Sequence, residues 1–181
     1  MSNRSLLIDL DKCVRCHVCE IACRQENDVH YETGSRWCRV MTLEPRWLEK
    51  ELHMDFVPTM CLQCDDPVCV HFCSVNALSR TAEGVVVVDN ETCTGCKLCR
   101  YGCPYGAMGF NEDKKVAEKC DLCLDRTRHG LEPSCVQHCI GGALQWVTQE
   151  ELKSVAAKEH TTATGSVVYS SGKWKLGNVI S

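Results

Sequence analysis

Apolar residues in this chain come in short bursts, not in long periodic runs. Leu6 to Asp9, Val85 to Asp89, Ala107 to Asn111 and Leu144 to Thr148 each hold a few apolar residues bounded by Asp, Gly, Asn or charge. That is the pattern of short strands. Trp37 to Glu44 and Leu52 to Val57 predict a hairpin inserted into the chain, over about residues 29–58. Pro67 and Pro133 suit the first position of short helices, where the missing N–H costs nothing, and Asp65 and Asp66 read as caps of the first. Thr148 and Glu151 have capping-box spacing for a helix ending near Lys158. Beyond it, H-T-T-A-T-G-S is linker-like and V-V-Y-S-S-G-K-W-K-L-G-N-V-I alternates roughly. A small domain has little spare surface to bury such a tail, so residues 148–181 are expected to form a helix and an arm across a partner.

Between these bursts lies cysteine, 17 in 181 residues. The stretch C-T-G-C-K-L-C-R-Y-G-C-P, Cys93 to Pro104, spaces three thiols by two residues and adds a fourth followed by proline. This is the bacterial ferredoxin pattern of iron–sulfur ligation, in which the fourth cysteine serves a neighbouring cluster. Three more groups of four follow variants of this plan: Cys13, Cys16, Cys19, Cys23; Cys61, Cys64, Cys69, Cys73; and Cys120, Cys123, Cys135, Cys139, the last with an eleven-residue gap after C-D-L-C. Proline follows the fourth cysteine only at Pro104. Four groups of four account for all 17 cysteines but one, Cys38, which reads as a lone thiol in the hairpin. Other residues repeat too. I-D-L-D-K-C resembles V-D-N-E-T-C, and C-S-V-N-A-L, C-P-Y-G-A-M and C-I-G-G-A-L follow one another in step. Ala77, Ala107 and Ala143 fall where a turn would pack against a cluster. The fold class is therefore α+β: tandem ferredoxin-like modules over residues 1–147, built of short strands and helices around four [4Fe–4S] clusters.

Composition narrows the function. Aromatics are only 6%, so metal binding must supply folding energy that a small core cannot. A formal charge of −4 with no clustered basic face excludes a nucleic-acid footprint. The longest wholly aliphatic run is Val85 to Val88, so no membrane span is expected. The N-terminal M-S-N-R-S-L-L-I-D lacks an export signal, and so many cysteines without one argue for metal over disulfides and for the cytoplasm. There is no G-x-G-x-x-G for a dinucleotide.

Four zinc sites would also use sixteen thiolates, but zinc knuckles come as C-x-x-C pairs a dozen or more residues apart. Three cysteines at two-residue gaps ending in C-P fit iron–sulfur ligation better. All four sets are complete, which favours one-electron relay over chemistry at an open iron, and no catalytic residue is expected. His17, His71 and His138, inside the groups, are candidates to tune potentials and otherwise ordinary polar positions.

With details such as C-D-L-C-L-D-R-T-R-H-G-L-E-P-S-C, the chain resembles the four-cluster electron-transfer subunits of molybdenum and tungsten oxidoreductases over about Leu6 to Thr148. These include subunits of the dimethyl sulfoxide reductase family and of tungsten aldehyde oxidoreductases. The resemblance implies cross-pairing of the groups. Cys13, Cys16 and Cys19 would share a cluster with Cys139, and Cys120, Cys123 and Cys135 with Cys23. Cys61, Cys64 and Cys69 would join Cys103, and Cys93, Cys96 and Cys99 would join Cys73. The internal repeat alone suggests pairing within each half. The resemblance further implies a large molybdenum or tungsten pterin subunit and a second redox partner. The short signal-free chain leans to the tungsten aldehyde type with a flavin subunit. An exported dimethyl sulfoxide reductase-type complex and a free-standing polyferredoxin are the alternatives.

Overall fold

The computed structural model describes residues 4–29, 35–48, 50–157, 160–163 and 165–173. Strand β1 (Arg4–Asp9) buries three aliphatics in succession, Leu6, Leu7 and Ile8. A half-buried strand would expose the middle one, so both faces of this strand must be covered. Leu6 and Ile8 enter the main apolar cluster. Leu7 packs the other way, on Val147, Val168 and two residues of helix α6 (Gln149–Ala156), Leu152 and Val155.

On one edge β1 pairs antiparallel with β10 (Leu144–Thr148), and on the other it pairs parallel with β12 (Val167–Ser171). Strand β11 (His160–Ala163) then lies outside β12, giving the order β10-β1-β12-β11. Every residue of β12 is buried. The described part of the tail, up to Lys173, is an inner strand of the main sheet and not a free arm. The reason is that β10 satisfies only one edge of β1, and the backbone groups on the other need partners of their own. Trp174 to Ile180 lie outside the described residues. The capping box at Thr148 and Glu151 is present, and α6 runs to Ala156; Lys158 lies outside the described residues.

Two groupings of short elements hold the cysteines. Beside the main sheet, α1 (Val18–Asn27) packs on α5 (Ser134–Gln137). In the second grouping α2 (Val68–His71) packs on α3 (Leu98–Gly102). It is framed by the hairpins β6 (Leu78–Arg80)/β7 (Val86–Val88) and β8 (Gly109–Asn111)/β9 (Val116–Glu118). It has an apolar cluster of its own, including Leu78, Val86, Met108 and Ala117. The chain is thus a small mixed α/β fold with its core split between the two groupings.

The insert is more elaborate than one hairpin. β2 (Cys38–Thr42) pairs with β5 (Phe56–Met60), and β3 (Arg46–Leu48) pairs with β4 (Glu51–His53) within that loop. Leu52 therefore belongs to the inner hairpin and is exposed, whereas Val57 and Met60 are buried. The register follows the residues that reach the core. Pro67 and Pro133 stand at the caps, one residue before α2 and α5 begin.

Candidate metal centres

The four cysteine loops share one backbone device. The residue two positions after the first cysteine of each group has a left-handed backbone: Arg15 (φ 56°), Gln63 (54°), Gly95 (70°) and Leu122 (58°). Such a residue curls the loop into a nest of N–H groups able to face an anionic centre. Three of the four are not glycine, and holding them there costs of order 1–3 kcal/mol each. At Gly95 a Cβ would also run into the Lys115 carbonyl, so no side chain fits.

The helices carry the later thiols. α1 contains Cys19 and Cys23, and α3 contains Cys99 with Cys103 at its end. α2 and α5 contain Cys69 and Cys135, while Cys73 and Cys139 lie just beyond them. Tertiary packing then gathers the sulfurs. Cys13 interacts with Cys16, Cys19 and Cys139, and these four line one cavity. Cys64 and Cys69 interact with Cys61 and with Cys103, and these four line a cavity of about 330 Å³. Cys99 interacts with Cys93, Cys96 and Cys73. Cys135 interacts with Cys23 and Cys123, and Cys120 with Cys23 and Cys135. Every set takes three thiols from one group and one from another.

The surroundings fit a thiolate-bound cluster. Backbone N–H groups donate to sulfur from Ala77 to Cys73 (3.2 Å), Ala117 to Cys93 (3.5 Å), Leu122 to Cys120 (3.4 Å) and Leu144 to Cys139 (3.4 Å). Ala77, Ala107 and Ala143 sit at the turns where the repeat places them: Ala77 and Ala143 are buried, and Ala107 lines the Cys103 cavity. Among the described residues no three His, Cys, Asp or Glu side chains converge on one point, as a single zinc ion requires. A cubane instead takes one thiolate at each of its irons. Without iron, burial favours the protonated form of the most enclosed of these thiols. Cys23 is pushed up to about 12 and Cys69 to about 11, and Cys120 and Cys135 lie well above the ordinary 9.0. Ligation must therefore displace protons.

Several neighbours carry no clear signal in the sequence. Asn27 Nδ2 donates to the Cys23 carbonyl (2.9 Å) and reaches toward the Cys23 and Cys123 sulfurs at 3.8 and 3.9 Å. Its position four residues after Cys23 on α1 is the only hint. Glu20 is buried and accepts from the Val40 N–H (2.6 Å), tying α1 to the insert. Cys38 is also buried, and its thiol bonds Cys19, which holds Cys19 below and Cys38 above the ordinary thiol range. Arg126, inside the C-D-L-C-L-D-R segment, donates to Glu26 (2.9 Å), the Glu132 carbonyl (3.0 Å) and Gln137, and so clamps α1 to α5.

The histidines split. His17 lines the Cys13 cavity and bonds Glu20 (2.9 Å), His71 bonds Asp66 (2.7 Å), and His138 bonds the Ser134 carbonyl (2.8 Å). Asp65 and Asp66 do not cap α2; Asp65 pairs with Arg80 (3.3 Å) and Asp66 with His71. Pro67 occupies the cap and offers no side-chain acceptor, which leaves both carboxylates free to pair elsewhere. No helix of the described residues is long and apolar enough to cross a membrane.

Residues 52–149 match the family described as "4Fe-4S dicluster domain". The sequence is 37% identical over 139 residues to the B subunit of the tetrathionate reductase of Salmonella typhimurium, covering 77% of this chain and 55% of that one. It is 35% identical over 153 residues to the B subunit of the anaerobic dimethyl sulfoxide reductase of Escherichia coli, covering 81% and 74%. It is 37% identical over 163 residues to the B subunit of the sulfite dehydrogenase of Allochromatium vinosum, covering 79% and 68%. The chain thus spans little more than half of the tetrathionate reductase subunit and more of the other two.

Proposed function

The protein belongs to the 4Fe-4S dicluster domain family, together with those B subunits, and from that premise we propose that it is the electron-transfer subunit of a molybdenum-pterin oxidoreductase complex. It binds [4Fe–4S] clusters, which when bound supply one-electron oxidation and reduction. We assign the ligands as Cys13, Cys16, Cys19 and Cys139; Cys120, Cys123, Cys135 and Cys23; Cys61, Cys64, Cys69 and Cys103; and Cys93, Cys96, Cys99 and Cys73. The observation that carries this assignment is the gathering of thiols into sets of three plus one, across groups and not within halves.

The electrostatic neighbours of these thiols support a linear order. Cys19 interacts electrostatically with Cys135 and Cys120 with Cys61, while Cys69 lies in α2 and Cys73 just beyond its end. The shared left-handed loop position supports tandem ferredoxin-like modules. The three relatives act, by their names, on tetrathionate, dimethyl sulfoxide and sulfite. That favours the dimethyl sulfoxide reductase-type partner over the tungsten aldehyde type, and nothing in those names supports a flavin subunit.

Anaerobic purification of the native complex tests this. The expected result is about sixteen iron and sixteen sulfide per chain, with a stoichiometric large subunit carrying molybdenum. A monomer holding iron alone sinks the partner, and tungsten in the large subunit restores the other type.

A further inference from the structure

Lys119 is buried, with only 3% of its surface exposed. Its Nζ donates to the Val86 carbonyl and to the Cys120 carbonyl (3.0 Å). Among the described residues no carboxylate pairs with it. A buried ammonium with no anionic partner is costly, and such groups are normally paired or serve a function. Two carbonyls satisfy part of its hydrogen bonding but supply no counter-charge. On one side it lines a cavity with Asp28, Glu118 and Asp121, and on the other a cavity of thiols. Lys119 lines the cavity of Cys61, Cys64, Cys69 and Cys103, and its charge acts on Cys69. Its other contact is the backbone of Cys120, from the neighbouring thiol set. The lysine thus lies between two thiol sets, which become anionic once their thiols are ligated as thiolates.

We propose that the ammonium of Lys119 sets the reduction potential at the Cys61, Cys64, Cys69 and Cys103 cavity, holding it above the value a neutral side chain would give. This rests on the ligand assignment above. One-electron reduction there, by a redox partner, adds one negative charge and makes or breaks no bond. A fixed positive charge beside the cavity stabilises the more negative state, and net charge is one of the factors that set cluster potentials. Gln63 holds the same joint without adding charge: its amide donates to the Cys120 carbonyl (2.7 Å) and accepts from the Val86 N–H (2.8 Å). Lys119 is therefore a positioning charge and not a ligand.

The test is a redox titration of the intact complex with dithionite and ferricyanide, followed by electron paramagnetic resonance, for Lys119→Gln, Lys119→Met and Lys119→Arg. Iron content is measured first and reports the ligand assignment by itself. With iron complete, both neutral variants are expected to lower one potential, so that the oxidised-to-reduced ratio of that centre rises about tenfold at fixed ambient potential, 59 mV for one electron. Lys119→Arg should keep the potential. The centre at Cys13, Cys16, Cys19 and Cys139, whose cavity lacks Lys119, should not move. Four unshifted potentials in Lys119→Gln overturn the proposal, as does an equal shift at every centre. If Lys119→Met fails to load iron, Lys119→Gln carries the test. Loss of iron from Lys119→Gln and Lys119→Arg alike makes the residue structural and also overturns the proposal.

Discussion

Single residues decide whether each loop closes. Gly95 combines a left-handed backbone with close approach to the Lys115 carbonyl, so Gly95→Ala meets strain and collision together. It is expected to cost at least the ~1–3 kcal/mol of a strained backbone position. The iron content should fall by about four as the Cys93 set opens. Iron analysis after anaerobic purification checks it; full iron would count against the loop geometry. Cys38 makes the opposite case. It lies against Cys19 yet outside the sets of three plus one, so Cys38→Ala should keep about sixteen iron while Cys16→Ala loses about four. Removing the thiol donor from Cys19 should lower the potential of that centre, because hydrogen bonds to cluster sulfurs favour the reduced, more negative state. An unchanged titration would show that the thiol does no more than pack.

Among the elements, α6 and β12 separate local from tertiary causes. The capping box of α6 has both of its bonds, with Glu151 N–H to Thr148 Oγ1 (3.3 Å) and Thr148 N–H to Glu151 (2.7 Å). Thr148→Ala is expected to cost about 1 kcal/mol. It should lower the thermal midpoint slightly and leave the cluster spectra alone, since α6 lies on the face of β1 away from the main cluster. Strand β12 has a larger role. Val167, Val168 and Tyr169 are buried, and the Tyr169 hydroxyl donates to the Pro58 carbonyl (3.0 Å), joining the sheet to the insert. Each large apolar side chain contributes roughly 1.5–3 kcal/mol when buried. Their sum approaches the whole stability margin of about 5–15 kcal/mol typical of a domain. A chain stopped at residue 165 should therefore lose its fold and much of its iron. If the segment were an arm, it would keep full iron and lose only its partner.

For the molecule as a whole, folding and metal are linked through protons. Burial raises the Cys23 thiol from 9.0 to about 12 in the iron-free fold, which favours the neutral form. That contribution to iron-free stability is fully present below pH 9 and is lost as pH climbs toward 12. Ligation has the opposite demand, because iron takes thiolates and each ligand gives up its proton. Reconstitution with iron and sulfide should accordingly improve from pH 7 to 9 and release acid, measurable by pH-stat. Uptake indifferent to pH would contradict the buried, protonated thiols.

Much of this was legible in the residues themselves. Spacing marks the sixteen cysteines proposed as ligands, most of them two to four residues apart within their groups. The strand Leu144–Thr148 and the capping box were likewise readable, being local. Periodicity could not reveal which group lends its fourth thiol to which, since the internal repeat pointed to pairing within halves. The packing of α1 on α5 and of α2 on α3 brings those thiols together. The same holds for β12, whose rough alternation read as an arm across a partner, whereas the unpaired edge of β1 takes it into the sheet. Lys119, Glu20 and Asn27 look like ordinary surface residues in sequence, yet Lys119 and Glu20 are buried and the half-buried Asn27 reaches toward the Cys23 and Cys123 sulfurs. Local chemistry was set by the order of residues; the joining of distant thiols and the siting of buried charge were decided by tertiary packing, because both depend on groups far apart in the chain.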